Sequence, residues 1–317
     1  YERVCLIKGW QASVEAKAEW YSKIRRAYGN RVEAMREELD VIPREGEGVL
    51  LPLAWIEACS TPDYKVARWE PPYPGFVDMA EHIRRAEMLT WLEREVKPVL
   101  ARYADLPFTW SIGGDFAMRQ DRSAYPIGYV AQDLKRHVPM IVELRQCPYD
   151  QQKQTLFWMT EQVKRFGCGV LDANGNGMVL AQEARQRFGP ERIVELMPSD
   201  KWLREHSPLF RAAFEDKMIL VPADLDVRND LRQIRVVGGV GKVPRDVREN
   251  GTDGGKRHAD TAVGLMNFHA ATMRDYMSYA YQPVASAGRG FGNGDDEDNL
   301  RDWSRPPLGA RLRTGGV

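Results

Sequence analysis

The chain has 317 residues, of which 43% are hydrophobic and 28% are charged, a composition typical of a soluble globular protein. Its 45 basic residues balance 45 acidic ones, so the overall charge gives no support to nucleic-acid binding and leaves that question to local patches. The sequence contains no run of about 18 apolar residues, which excludes a helical membrane span.

The four cysteines form no C-x-x-C pair, and the five histidines show no metal-binding spacing. We therefore expect reduced, structural thiols in a cytoplasmic protein, with neither a zinc site nor a disulfide framework. The chain begins without Met and in mid-pattern, and no signal peptide is visible, so we expect a fragment of a longer protein.

The N-terminal part combines predicted helices with an irregular segment. Residues 11–40 are charged and helix-prone, and residues 75–104 carry apolar residues at helical spacing, so we predict a helix in each. Between them, the short apolar run VLLPLAWIEA precedes PDYKVARWEPPYPG, which its prolines predict to be irregular.

From residue 108 the pattern changes to strands. FTWSIGGDFA, SAYPIGYVAQ and RHVPMIVELRQ have short connections, which predicts an antiparallel meander. Helices and strands then alternate as far as MILVP. Right-handed crossovers would place the strand that ends at Asp172 parallel to, and beside, the strand that ends at Asp115. We therefore predict an α/β fold, in which three antiparallel strands are followed by parallel strands in one mixed sheet flanked by helices.

Beyond residue 236, a Gly- and charge-rich stretch opens into the predicted helix TAVGLMNFHAATMRDYM. The last segment, residues 276–317, is rich in Gly, Pro, Arg and Asp, and this composition predicts a flexible arm.

Three aspartates stand where chemistry is expected. Asp115 and Asp172 each end an apolar strand, and Asp260 lies in the first turn of a helix. A carboxylate at an apolar strand end is costly unless a charge such as a hard divalent cation neutralises it. Neighbouring strands lie about 4.8 Å apart. Carboxylates on them could therefore share two metal ions roughly 3.5–4 Å apart, the arrangement used for in-line phosphodiester cleavage.

Each aspartate also has a simpler interpretation. Asp115 after two glycines is typical of a turn or a helix cap, Asp172 begins a Gly/Asn turn, and Asp260 alone is typical of a helix N-cap. Residues 172–183 also match the calcium-loop pattern D-x-[DN]-x-[DN]-G-x₅-E. A calcium loop needs a helix running into its first residue, whereas a strand is predicted there, so we interpret the match as a coincidence.

The motifs in their order resemble a known family. GGDFAMRQDRSA, VLDANGNG and KRHADTAVGL look like the three acidic motifs of the nuclease domain of phage terminase large subunits, most of all those of Mu-like phages. MILVPADLDVRNDLRQIRVV is similar to the segment that precedes the last motif. RVEAMREELDVIP looks like the link that leaves the packaging ATPase. The resemblance covers about residues 25–275.

This resemblance implies a ribonuclease-H-like endonuclease that cuts concatemeric viral double-stranded DNA during packaging, with two Mg²⁺ or Mn²⁺ ions. It places the metal ligands on Asp115, Asp172 and Asp260, with Asp121 as an accessory ligand. It also implies a packaging ATPase domain, a small terminase subunit and a portal as partners, in the host-cell cytoplasm.

The resemblance also suggests a division of the chain. Residues 1–50 would be a helical connector from an N-terminal ATPase that this chain lacks, residues 51–275 the nuclease domain, and residues 276–317 the flexible arm. G-x-x-x-x-G-K-[ST] is absent, and the nearest string, GGVGKVP, lacks a correctly spaced first glycine and the Ser/Thr. We therefore expect no ATP hydrolysis from this chain.

The loop at 238–257 carries basic side chains just before Asp260. On composition alone it is a solvated surface hairpin, but beside an acidic metal site such residues could hold the DNA backbone. The predicted DNA-binding residues are Lys242, Arg245, Arg248, Lys256 and Arg257.

Two alternative functions remain open on the sequence. A junction resolvase or a transposase-like strand-transfer enzyme would use similar carboxylates on the same fold. A non-catalytic module that docks a packaging motor to DNA or to a procapsid would use them structurally.

Overall fold

The computed structural model describes residues 1–27, 48–117, 122–175, 177–244, 249–252 and 254–274. The helices are α1 Glu2–Lys8, α2 Val14–Ala27, α3 Leu53–Ala58, α4 Glu81–Trp91, α5 Lys97–Leu100, α6 Tyr149–Glu161, α7 Gly177–Phe188, α8 Asp200–Glu215, α9 Leu225–Gln233 and α10 Asp260–Thr272. A 3₁₀ turn covers Phe76–Asp78, and a π-helical turn, Leu92–Val96, joins α4 to α5.

The strands of the central sheet are β2 Ser60–Thr61, β3 Lys65–Trp69, β4 Trp110–Gly114, β5 Arg122–Val130, β6 Arg136–Arg145, β7 Phe166–Asp172, β8 Ile193–Leu196 and β9 Ile219–Pro222. Smaller pairings involve β1 Gly48–Val49, β10 Arg235–Val237, β11 Val240–Lys242, β12 Glu249–Asn250 and β13 Lys256–Arg257. Strand β1 pairs with β10 and β10 with β11, while β12 pairs with β13.

The central sheet has the order β2-β9-β6-β5-β4-β7-β8, and β3 also pairs with β6. Strands β4, β5 and β6 are antiparallel neighbours, whereas β7 is parallel to β4 and β8 is parallel to β7. The predicted mixed sheet, with three antiparallel strands followed by parallel strands, is therefore confirmed, and so is the predicted pairing of the strands that end at Asp115 and Asp172.

Hydrophobic layers cover both faces of this sheet. On one face, side chains of α4, α6 and α7 pack against inward residues of β4, β5 and β7. On the other face, α3, α8, α9 and α10 pack against the sheet. Helix α10 is apolar on almost every side, which is the pattern of a helix buried in a core. This helix lies against β4, β5 and β7 and carries Asp260 at its first position.

One local prediction was wrong and others lie outside the described residues. Lys65–Trp69, predicted to be irregular, forms β3 in parallel with β6, because the backbone of β6 offers a partner that the flanking prolines do not block. The predicted helix at 11–40 is described only as far as Ala27, and the predicted arm at 276–317 lies outside the described residues. The predicted domain boundaries stay predictions.

The four cysteines, Cys5, Cys59, Cys147 and Cys168, are free and buried. In the part of the chain that the structure describes, no helix is both long and apolar enough to cross a membrane.

Candidate metal centre

Asp115 and Asp172 lie side by side at one edge of the sheet. Gly114 of β4 pairs with Leu171 of the parallel strand β7, so the next residue of each strand is an aspartate in the same register. Val170, two residues before Asp172, packs with Ala270 and Ala271 of α10. Because side chains alternate along a strand, Asp172 faces the side of the sheet that α10 covers.

Asp115 faces α10 as well, because Gly113, two residues earlier on the same side of the strand, contacts that helix. A Cβ atom on Gly113 would lie 2.1 Å from the carbonyl oxygen of Gly264 in α10, so only glycine permits this contact. Asn267 then donates a hydrogen bond from Nδ2 to the carbonyl oxygen of Gly114 at 2.9 Å. Gly113 therefore serves close packing of α10 on β4, and the Gly-Gly pair lies in a strand and not in a turn.

Asp260 begins α10 but does not cap it. The N-cap residue is Ala259, in a left-handed conformation with φ of 59°, and it makes no side-chain cap. Asp260 is only 6% exposed, and its Oδ2 accepts a hydrogen bond from the backbone N–H of Arg122 at 3.1 Å. The helix-cap interpretation of Asp260 is therefore wrong, because its carboxylate is directed at β5 and not at its own helix.

These contacts place the three aspartates at the same end of the sheet. Gly264, which touches Gly113, is one helical turn after Asp260, and Asp115 is two strand residues after Gly113. Both steps lead toward the end of β4 that carries Asp115. Asp115 bridges to Ala124 on β5, and Arg122, whose N–H binds Asp260, lies two residues before Ala124 on the same strand. The ends of a strand pair and the start of a helix therefore place all three aspartates at this end of the sheet.

The local geometry places Asp172 in an environment that disfavours its charge. Burial raises the pKa of the Asp172 carboxyl, and a hydrogen bond from the backbone N–H of Asn174 to Oδ1, at 2.8 Å, acts in the opposite direction. The net direction is upward, so the ionised carboxylate is held at a cost. A divalent cation would remove that cost by replacing the lost hydration with ligation.

Asp172→Asn is expected to raise the free energy of unfolding of the metal-free protein at neutral pH. The folded state holds the proton of Asp172 to a higher pH than the unfolded chain does, so the destabilising effect of this group grows as pH rises through the interval between the two pKa values. Asparagine keeps an Oδ1 for the Asn174 bond and removes the charge. Urea unfolding without divalent cations measures the difference. A variant that is less stable than wild type at neutral pH would contradict this account.

The carboxylate oxygens of the three aspartates are suitable ligands for a hard cation, although the three side chains do not surround a single ion position. Within the described ranges, no group of three or more His, Cys, Asp or Glu side chains has the spacing to hold one ion. Mg²⁺ keeps several waters and needs only one or two protein carboxylates, so the paired strand-end aspartates fit it. The calcium-loop interpretation does not fit, because strand β7 and not a helix leads into Asp172.

The predicted DNA-binding residues differ in solvent exposure, and two of them lie outside the described residues. Lys256, on β13, is exposed, and Lys242, at the end of β11, is half-buried. Arg257 is 1% exposed, and carboxylates take up its guanidinium, so it is not available to a DNA strand. Arg245, Arg248 and the predicted accessory ligand Asp121 lie outside the described residues.

Arg257 instead joins two buried acids that sequence reasoning missed. Its Nη1 and Nη2 donate to both oxygens of Glu143 at 2.9 and 2.6 Å. Its Nε and Nη2 donate to Asp230 at 3.0 and 2.8 Å. Burial acts to raise the pKa of Glu143, but the hydrogen bonds and charges of Arg257 and Arg68 outweigh it and hold that pKa at about 2.

This buried network reaches the start of α10. Thr261, the residue after Asp260, donates its hydroxyl to Glu143 at 2.6 Å and its backbone N–H to Asp230 at 3.3 Å. The network therefore fixes the backbone on which Asp260 stands. One available sequence signal was the lone glutamate inside the apolar run VPMIVEL, since a charge there needs a buried partner.

Two curated proteins are similar to this chain, although no family model matches it. The chain is 31% identical over 306 residues to the probable terminase, large subunit gp28, of Escherichia phage Mu, which covers 96% of this chain and 55% of that protein. It is 30% identical over 263 residues to the Mu-like prophage FluMu protein gp28 of Haemophilus influenzae, which covers 83% and 51%. The chain thus spans about half the length of the curated relatives it matches, and the predicted resemblance is confirmed.

Solved structures with a similar fold are also terminase proteins. The large terminase nuclease of thermophilic phage G20c with bound magnesium is 16% identical, with 52% of this chain and 82% of that chain covered and a TM-score of 0.39. The large terminase of bacteriophage HK97 is 11% identical, with 63% and 52% covered and a TM-score of 0.41. These scores are too low to transfer a metal or a substrate from those proteins to this chain.

Proposed function

We propose that this chain, whose relationship to the Mu large terminase subunit spans 96% of its length, is an endonuclease that cuts double-stranded viral DNA during genome packaging. The observation that carries the proposal is the position of Asp115, Asp172 and Asp260 at the same end of β4 and β7. Three acids on that face are costly to keep there without a cation to neutralise them.

Asp115 and Asp172 would hold the cations between them, since their strands are adjacent and their side chains face the same way. Asp260 would complete the set from α10, held in orientation by the N–H of Arg122. Two Mg²⁺ or Mn²⁺ ions, when bound, would activate the attacking water and stabilise the departing 3′ oxygen of the phosphodiester.

The wider setting of the proposal is the one that the resemblance of the sequence motifs to terminase large subunits implies. Partners would be double-stranded DNA, a packaging ATPase domain, a small terminase subunit and a portal, in the cytoplasm of the host cell. Residues 1–50 would connect to the ATPase, residues 51–275 would form the nuclease domain, and residues 276–317 would form an arm. Asp121 would be an accessory ligand.

A plasmid assay tests the proposal directly. Wild-type protein is expected to nick or linearise supercoiled plasmid with Mg²⁺ or Mn²⁺ and to stop when a chelator is added. A triple Asp→Asn variant at the three aspartates controls for a contaminating nuclease. Equal cleavage by wild type and the triple variant would overturn the proposed mechanism, and faster cutting of branched than of linear duplex DNA would favour a resolvase.

Lys256→Ala is expected to weaken binding of duplex DNA about equally for different sequences. Lys256 is exposed on β13, two residues before the half-buried His258 and four residues before Asp260. A lysine in that position would contact the phosphate backbone of the DNA, which carries no sequence information. The dependence of log K on log salt should become shallower by about 1. Binding is measured with the chelator present, to prevent cleavage. The half-buried Lys135, in the turn between β5 and β6 at the other end of the sheet, gives the control variant Lys135→Ala. An unchanged salt slope for Lys256→Ala would remove this residue from the DNA contact.

A further inference from the structure

Gln152, in the first half of α6, is a buried amide with all its polar atoms engaged. It is 3% exposed. Its Nε2 donates to the carbonyl oxygen of Ala117 at 2.9 Å and to that of Cys147 at 2.8 Å. Its Oε1 accepts from the hydroxyl of Ser123 at 2.9 Å. A buried amide satisfied on every side specifies one arrangement of the groups around it.

The partners of Gln152 hold the backbone that carries Asp115. Strand β4 ends at Gly114, and a single bridge between Asp115 and Ala124 is the last pairing with β5. Two residues later, the N–H of Ala117 donates to the Ser123 hydroxyl at 3.0 Å, and the carbonyl oxygen of Ala117 accepts from Gln152 Nε2 at 2.9 Å. The segment after the sheet is thus held by side chains where strand pairing has ceased.

We propose that Gln152 and Ser123 act together as positioning residues, which fix the backbone from Asp115 to Ala117 and so set the Asp115 carboxylate for cation binding. This inference rests on the proposed function. Neither residue touches the carboxylate, and both act through the main chain that bears it. Their loss would leave the fold intact and let Asp115 move away from the register that pairs it with Asp172.

The neighbouring residue supplies a matched control. Gln151 is on the same helix, is 1% exposed, and its Oε1 has no hydrogen-bond partner among the residues that the structure describes. It therefore equals Gln152 in chemistry and burial but makes none of the bonds to Ala117. Gln152→Met and Gln151→Met each replace an amide by an apolar side chain of similar length, so both variants keep the packing volume.

The test compares both variants with wild type by two measurements. Amide hydrogen exchange reports the Ala117 N–H, and isothermal titration with Mn²⁺ reports the cation site. Gln152→Met is expected to speed exchange at Ala117 and to weaken Mn²⁺ binding by roughly 10- to 100-fold, the usual cost of losing a group that supports a metal ligand. Gln151→Met is expected to match wild type in both. Ser123→Ala should reproduce the effects of Gln152→Met more weakly.

The outcomes separate this inference from the function on which it rests. Unchanged exchange at Ala117 in Gln152→Met would overturn the positioning role, whatever the protein cuts. Equal loss of Mn²⁺ affinity in Gln151→Met would also overturn it, because helix stability alone would then explain the effect. A wild-type protein that neither binds Mn²⁺ nor cleaves plasmid would overturn the proposed function and, with it, the purpose of positioning Asp115.

Discussion

Asp115→Asn and Asp172→Asn are each expected to lower the rate of plasmid cleavage by more than the roughly 10- to 100-fold that loss of a supporting group around a metal typically costs. Both substitutions keep the side-chain shape and remove the negative charge that a hard cation requires. The effect should fall on kcat, since the proposed DNA contact of Lys256 would remain. It is measured as initial rates of plasmid nicking at saturating DNA and a fixed Mn²⁺ concentration.

Asp133→Asn is the matched control for Asp172→Asn. Asp133 lies in the turn between β5 and β6, and its Oδ1 accepts the N–H of Lys135, two residues on, at 3.1 Å. Asp172 makes the same kind of turn with Asn174. The register places Asp133 at the opposite end of the sheet. Asp133→Asn should cut like wild type, and an Asp172→Asn variant that also did so would remove Asp172 from the site.

Arg257→Ala is expected to lower the free energy of unfolding by about 3–5 kcal/mol, the usual cost of leaving a buried charge without its partner. Glu143 and Asp230, both fully buried, would lose the guanidinium that each contacts through two hydrogen bonds. Cleavage should fall too, because Thr261 shares this network and stands next to Asp260. Urea unfolding measures the stability change.

The exposed neighbour Lys256 gives the control for this stability change. Lys256→Ala should alter stability by no more than about 0.5 kcal/mol, as surface substitutions usually do. Adding Glu143→Gln to Arg257→Ala should recover part of the loss, because it removes one of the two buried charges that Arg257 no longer neutralises. An Arg257→Ala protein as stable as wild type would show that the buried network does not support the fold.

The arrangement of the sheet followed from local sequence patterns. Alternation and short connections predict β4, β5 and β6, and the handedness of crossovers predicts β7 beside β4, so the pairing of Asp115 with Asp172 was within reach of the sequence. Strand β3 was missed because Lys65–Trp69 is short and flanked by prolines, and its partner β6 lies far along the chain. Such pairing depends on tertiary contacts that local propensity does not contain.

The parts of the site that sequence reasoning missed depend on distant contacts. Arg257 resembled its basic neighbours in a Gly-rich loop, yet its partners Glu143 and Asp230 are 114 and 27 residues away. Gln152 lies in an ordinary polar helix start, and only the folded chain brings it to Ala117, 35 residues earlier. A residue type and its local spacing do not reveal which buried group will meet it.

A structure of the protein grown or soaked with Mn²⁺ tests the central claim most directly. Anomalous scattering locates the ions without reference to activity. The account predicts Mn²⁺ bound at the ends of β4 and β7, with oxygens of Asp115 and Asp172 as ligands and Asp260 completing the set. Mn²⁺ absent from this edge under conditions in which the same protein cleaves plasmid, or bound only elsewhere on the chain, would contradict it.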